Sequence, residues 1–155
     1  MSRPYSINAV ILLIIIKLIS LPVSAHEDRH QTLVLVTASD SLVKKLRPGL
    51  FRKLFLAVPV ASNNQALTPL INISDDLLYE VFLQKVVYMS KRHYERMLVS
   101  KTFRTGRPRP ARFSDNIELV KALNSISGSV SVMWQKDAEN EKFIRIVQTL
   151  WEERH

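Results

Sequence analysis

The stretch Thr32–Thr37 reads Thr-Leu-Val-Leu-Val-Thr, an apolar run of strand length closed by a threonine at each end. Such a run has no polar face to turn toward water, so it predicts a strand buried on both sides. The rest of the chain must then cover a sheet, and its pattern supplies helices for that purpose. Ala38-Ser39-Asp40-Ser41 is a loop of hydrogen-bonding side chains. Pro48 suits a helix's first turn, and Leu50, Leu54 and Phe55 recur at helical spacing until the pattern stops near Ala57, before Pro59.

Ser62-Asn63-Asn64 signals a turn. Ala66–Ile71 predicts a second strand, and Pro69 within it argues for an edge position. Ser74 is expected to cap the next helix, with Asp75 and Asp76 complementing its dipole and Leu77, Leu78, Val81, Phe82, Val86 and Met89 forming one apolar stripe. Ser90 opens a further helix in which Tyr94, Met97, Leu98 and Phe103 are expected to face inward, and Gly106 closes it. Arg107-Pro108-Arg109-Pro110 is extended, because each residue before a proline is pushed out of the α region.

Asp115 and Glu118 give a start resembling a capping box, followed by Ile117, Val120, Leu123 and Ile126 at helical spacing and by Gly128 as the stop. Val130, Val132 and Trp134 then alternate with Ser129, Ser131 and Met133, the period of a strand. Trp134 continues the apolar face and is expected in the core. Lys136–Glu141 reads as a polar turn, and Phe143–Val147 as the last strand before a charged tail. The sum is an α/β domain built on a small mixed sheet of about four strands flanked by helices.

The first 25 residues do not fit that domain. Arg3 and the amino terminus give a positive start, Val10–Leu21 is apolar except for Lys17, and Val23-Ser24-Ala25 places small residues as a signal peptidase requires. The uninterrupted stretch Ala9–Ile16 is far short of the roughly 20 residues that span a bilayer. Residues 1–25 are therefore expected to be a cleaved signal peptide and residues 26–155 a single periplasmic domain. The chain contains no cysteine, so an exported domain of this kind must be held by its core alone.

Of the formal net charge of +8, Arg3 and Lys17 account for two, leaving +6 beyond residue 25. The window 91–112 holds Lys91, Arg92, Arg96, Lys101, Arg104, Arg107, Arg109 and Arg112 against Glu95 alone, a local +7. Such a segment concentrates anions or faces an acidic partner; it also serves simply as a solvated surface. Export and the lack of any accompanying nucleic-acid motif argue against nucleic acid as that partner.

The ordered set of elements resembles short substrate-binding-like proteins related to the phosphate-binding component of ABC transporters, within the type 2 periplasmic binding protein superfamily. The residues that carry the resemblance are Ser41–Leu56 with Leu46, Leu50, Leu54, Phe55 and Leu56, then Leu78-Tyr79, Ser90–Tyr94, Phe103–Pro110 with Gly106, and Ser127–Val132. The departures are specific. Val60–Gln65 replaces a Trp-x-x-Gly turn, Ser131 and Val132 stand where the family has glycine and tyrosine, and Asn72-Ile73-Ser74 is the nearest analogue of a Ser-Gly-Thr ligand turn. The resemblance implies one lobe of a two-lobed clamp and a non-catalytic role as a phosphate- or oxyanion-binding or sensing accessory. It further implies a transporter as partner. One lobe offers only half a cleft.

Catalytic chemistry finds no constellation in the sequence. His26-Glu27-Asp28-Arg29-His30 fits H-E-x-x-H, but it begins at the expected cleavage point with no third ligand in place, so no metal site or cofactor is expected. There is no thiol and no G-x-S-x-G elbow, and the chain is expected not to be an enzyme. His93 lies among Lys91, Arg92 and Arg96 and reads as a helix-surface residue. Two places qualify for an anion. Thr37, Ser39 and Ser41 offer hydroxyls and amides after a strand, at the edge where such sheets hold ligands. Arg104, Arg107 and Arg109 offer guanidinium forks on a proline-stiffened backbone. An alternative role, from a different class, is an interaction module that docks on a membrane sensor or an acidic envelope surface through residues 91–112.

Overall fold

A computed structural model describes residues 31–153; the expected signal peptide at 1–25 and the His26–His30 motif lie outside the described residues. The elements run β1 (Thr32–Ala38), α1 (Pro48–Phe55), a two-stranded hairpin of β2 (Ala61–Ser62) and β3 (Gln65–Ala66), and β4 (Thr68–Asn72). They continue with α2 (Asp76–Phe82), its π-helical extension Leu83–Val87, α3 (Lys91–Thr105), β5 (Ala111–Phe113) and α4 (Asn116–Ser125). The last are β6 (Ser129–Trp134), α5 (Gln135–Glu139) and β7 (Ile144–Glu152). The main sheet has five strands in the order β5-β4-β6-β1-β7, one more than expected, since β5 follows directly on the extended Arg107–Pro110 segment. It is mixed: β4 pairs parallel with β5 and β6, whereas β1 pairs antiparallel with both β6 and β7. β1 thus runs against the other four strands.

The Thr32–Thr37 run is explained by this position. Leu33 and Leu35 face the core beneath α1, α2 and α3, while Val34 and Val36 face a second core beneath α4 and α5. All four of its apolar side chains are fully buried, two on each face. The aromatic residues Phe51, Phe55, Phe82 and Tyr94 form a connected chain of ring contacts in the first core, with the Phe55 and Phe82 centroids 5.1 Å apart. α1 buries Phe51 together with the expected Leu54 and Phe55, whereas Leu50, expected inside, is exposed.

β6 shows why a hydroxyl-bearing alternation need not mean a wet face. Val130 and Val132 lie in the first core, whereas Ser129 and Ser131 are buried under α4 on the other side. Their hydroxyls donate to the carbonyls of Leu123 (2.9 Å) and Leu70 (2.8 Å), and among the described residues no buried side-chain nitrogen or oxygen is orphaned.

Several expectations are corrected. β4 is an interior strand, not an edge, yet Pro69 is accommodated: Thr68 N–H donates to Gly128 on the β6 side and Ile73 N–H to Phe113 on the β5 side. By alternation the Pro69 nitrogen faces β5, whose pairing begins only at Leu70 opposite Ala111. Asp75, not Ser74, caps α2, because its carboxylate reaches Leu78 N at 2.9 Å while Ser74 is held by Asn72. Phe103 is 87% exposed, as α3 buries Tyr94 and Leu98 on its opposite side. Leu77 and Ile117, counted among apolar stripes, are exposed at the first turns of their helices, and α4 instead buries Leu119 with Val120 and Leu123. The polar turn at Lys136–Glu141 is largely α5, which buries Ala138 as the chain crosses over β1 to reach β7. β7 is longer than expected at nine residues, and its register against β1 slips twice.

Two buried tyrosines make alkaline stability testable. Burial pushes Tyr79 up to about 12, with Glu95 adding to the shift and Arg112 opposing it. Burial likewise raises Tyr94, whose hydroxyl donates to Phe55 O at 2.7 Å. Unfolding exposes both phenols to ionisation near pH 10, so their stabilisation is complete below that value and is lost as pH rises toward 12. Each is expected to forfeit on the order of 1 kcal/mol by pH 11. Ultraviolet titration should show the buried pair ionising only as the fold is lost. Ionisation of Tyr79 and Tyr94 near pH 10 in protein that is still folded would refute this.

Candidate functional site

The parallel strands end together at Asn72, Phe113 and Trp134, and α2 and α4 both start from this carboxyl edge. Here Asn72, fully buried, knots the two helix starts together. Its amide nitrogen donates to Asn116 Oδ1 and to Val132 O, each at 3.2 Å, and its oxygen accepts from Ser74 N (3.0 Å) and Ser74 Oγ (2.7 Å). Ser74 Oγ also lies 3.0 Å from Asn116 Oδ1. Asp75 caps α2 through one oxygen and accepts from Trp134 Nε1 at 3.3 Å through the other. Asp115 caps α4, accepting from Ile117 N at 2.6 Å and Glu118 N at 3.1 Å.

This edge is where open α/β sheets hold ligands, but its electrostatics are those of an acid. The helix-start amides that would attract an anion are taken by the chain's own carboxylates, and Asp75, Asp76 and Asp115 remain exposed there. The Asn72-Ile73-Ser74 turn is therefore a structural tie with its hydrogen bonds spent internally. Sequence reasoning missed Asn116 and Trp134 as members of this edge. The signal was present in the parallel cap sequences Ser74-Asp75 and Asp115-Asn116, each beginning two residues beyond the end of the preceding strand.

The Thr37–Ser41 loop lies at the other end of the sheet. Because β1 is reversed, its carboxyl end meets the amino ends of β6 and β7, contrary to the expected placement at the ligand-bearing edge. Thr37 is fully buried and its hydroxyl donates to Ser129 O at 2.8 Å. Ser39 is exposed and its N–H donates to Phe143 O. Ser41 Oγ accepts from Val43 N, and its carbonyl is clamped by Arg145 Nη2 at 2.7 Å. The loop borders a cleft of about 220 Å³ shared with Gln65, Ser125 and Ser127. The carbonyl end of α4 and Asp40 stand at this cleft, so it suits a neutral or cationic polar group better than an anion.

Arg104 lies in the last turn of α3, and Arg107 and Arg109 follow Gly106, which takes the left-handed conformation (φ +67°) that lets the helix stop and the chain turn out. All three are exposed, and none has an ion-pair partner among the described residues. Arg112 differs: it pairs with Glu95, lies 5.6 Å from the Tyr79 ring centroid, and so belongs to the scaffold. Since β5 starts at Ala111, these arginines share the amino edge with the Thr37 loop, but β4 and β6 separate them. At a strand spacing of about 4.8 Å, the two sets of candidates stand roughly 15 Å apart and do not form one site.

His93 is exposed on α3. No cluster of three or more potential metal ligands occurs among the described residues. Compared with protein families, with curated proteins and with solved structures, the chain matches none.

Proposed function

We propose that the chain is an exported, non-catalytic binding protein of the solute-binding type, the size of one lobe, that recognises a phosphate-class oxyanion as an accessory to transport or sensing in the periplasm. The observation that carries this reading is the trio Arg104, Arg107 and Arg109, exposed and unpaired among the described residues on a backbone stiffened by Pro108 and Pro110. Guanidinium forks match the geometry of tetrahedral oxyanions, and a stiff backbone reduces the ordering cost of presenting them. A mixed sheet covered on both faces is the architecture the reading needs, and the resemblance set out above points the same way. The acidic carboxyl edge turns the reading away from the Asn72–Ser74 turn and toward the arginine segment.

Half a cleft implies weak binding, with millimolar phosphate needed. At phosphate about ten times its dissociation constant, linkage raises stability by about 1.4 kcal/mol, or roughly 5 °C in Tm. The test is a thermal-shift titration with phosphate in a buffer free of competing anions, repeated at equal ionic strength with chloride. The double variant Arg104→Glu/Arg107→Glu is expected to lose the shift while keeping the melting temperature of the unliganded protein. A flat response up to tens of millimolar phosphate would overturn the oxyanion reading.

A further inference from the structure

We propose that the outward face of α3 and the segment after it dock on an anionic phospholipid surface, with Phe103 as an apolar wedge between arginines. This rests on the oxyanion reading above and names the source of the oxyanion as lipid phosphate. At 100° per residue, Arg92, Arg96 and Phe103 fall within about 40° of one another on α3. The buried residues Tyr94 and Leu98 lie on the opposite side, so the stripe points directly away from the core. Arg104, in the last turn of the helix, flanks this stripe about a quarter turn away, and Arg107 and Arg109 follow beyond the helix, all exposed. The one acid of the segment, Glu95, is withdrawn into the pair with Arg112 and accepts from the Tyr79 hydroxyl, so it leaves the stripe uniformly cationic.

Phe103, 87% exposed, has no structural reason to be apolar, because α3 is already anchored by Tyr94, Leu98 and the Lys101 ammonium bonded to Leu56 O. A convex helix face with one aromatic ring amid cations fits a surface that moulds itself to each arginine. Fluid headgroups do so: phosphates approach the guanidinium groups while the ring enters the acyl boundary. A folded acidic protein would instead need a matching rigid face of several hundred Å².

Each cation near an anionic bilayer strengthens partition about five-fold. The experiment measures sedimentation of the protein with vesicles of phosphatidylcholine containing about one-third phosphatidylglycerol, against phosphatidylcholine alone, at low and high salt. Binding is expected only to the anionic vesicles, weakening with salt. Arg104→Gln/Arg107→Gln is expected to reduce it about 30-fold, and Phe103→Ser about five- to ten-fold with no change in charge. Phe103→Ser should leave the phosphate-induced thermal shift intact. If anionic vesicles do not bind while free phosphate raises Tm, docking is overturned and the oxyanion reading stands. If vesicles bind while free phosphate has no effect, the docking surface stands and the free-oxyanion role falls. Vesicle binding by Phe103→Ser equal to that of the unaltered protein would also overturn the proposal, since a non-inserting cationic face does not need the ring.

Discussion

Replacing Gly128 by alanine is expected to lower stability by about 3 kcal/mol and Tm by roughly 12 °C. The residue has φ +72°, where a side chain costs about 1–2 kcal/mol by itself. The added Cβ would also meet Ala66 O at 2.4 Å, a backbone atom that cannot swing aside. That carbonyl belongs to the β2–β3 hairpin, which is tied on both flanks: Thr68 N donates to Gly128 O, and Gln65 Nε2 to Ser127 Oγ at 2.6 Å. The hairpin must shift or the strand must, and both are anchored. Gly106 is the internal control. It has φ +67° with open space around it, so Gly106→Ala should show only the left-handed penalty, about 1 kcal/mol. Equal losses in chemical denaturation for the two variants would show that crowding at Ala66 contributes nothing.

Asn72→Ala should cost a comparable amount, about 3 kcal/mol, through unmade hydrogen bonds in addition to lost volume. One carboxamide serves four contacts that join β4 to β6 and to the starts of α2 and α4. Its removal takes this partner from Val132 O, in a fully buried residue, and from Ser74 N, in a half-buried one. Asn72→Leu restores the volume but not the partners and is expected to recover less than half of the loss. If leucine restores full stability, packing and not hydrogen bonding holds this edge. Trp134, bonded to Asp75, offers a fluorescence reading of the same region.

The parts of the fold legible in the sequence are those where burial and local pattern agree. The Thr32–Thr37 run could only be a strand covered on both faces, and it lies between the two cores. Ser90, Gly106 and Asp115 act where their chemistry suggested, since a cap is decided within four residues. What could not be read depends on partners distant in the chain. Pro69 argues for an edge only where pairing runs along both sides, and the late start of β5 spares its nitrogen a partner. α5 has too little apolar content to declare itself, and its helix is selected by the crossover over β1.

The candidate site divides along the same line. Exposure of Arg104, Arg107 and Arg109 was legible, because a proline-interrupted cationic segment has no buried alternative. The placement of Thr37, Ser39 and Ser41 was not, because it turns on the direction of β1 relative to β6, which no local pattern encodes. Asn116 and Trp134 were hidden for the same reason: they meet Ser74 and Asp75 only through the order of the strands.

The two slips of β7 against β1 have a consequence for how copies of this chain coexist. β7 is an outermost strand nine residues long, and a straight one would offer a continuous ladder of free backbone groups to any passing neighbour. Each slip sharpens the twist and breaks the even spacing that a second chain would have to match. With no cysteine in the chain and one long margin bare, that warp is what stands against strand-to-strand pairing between copies.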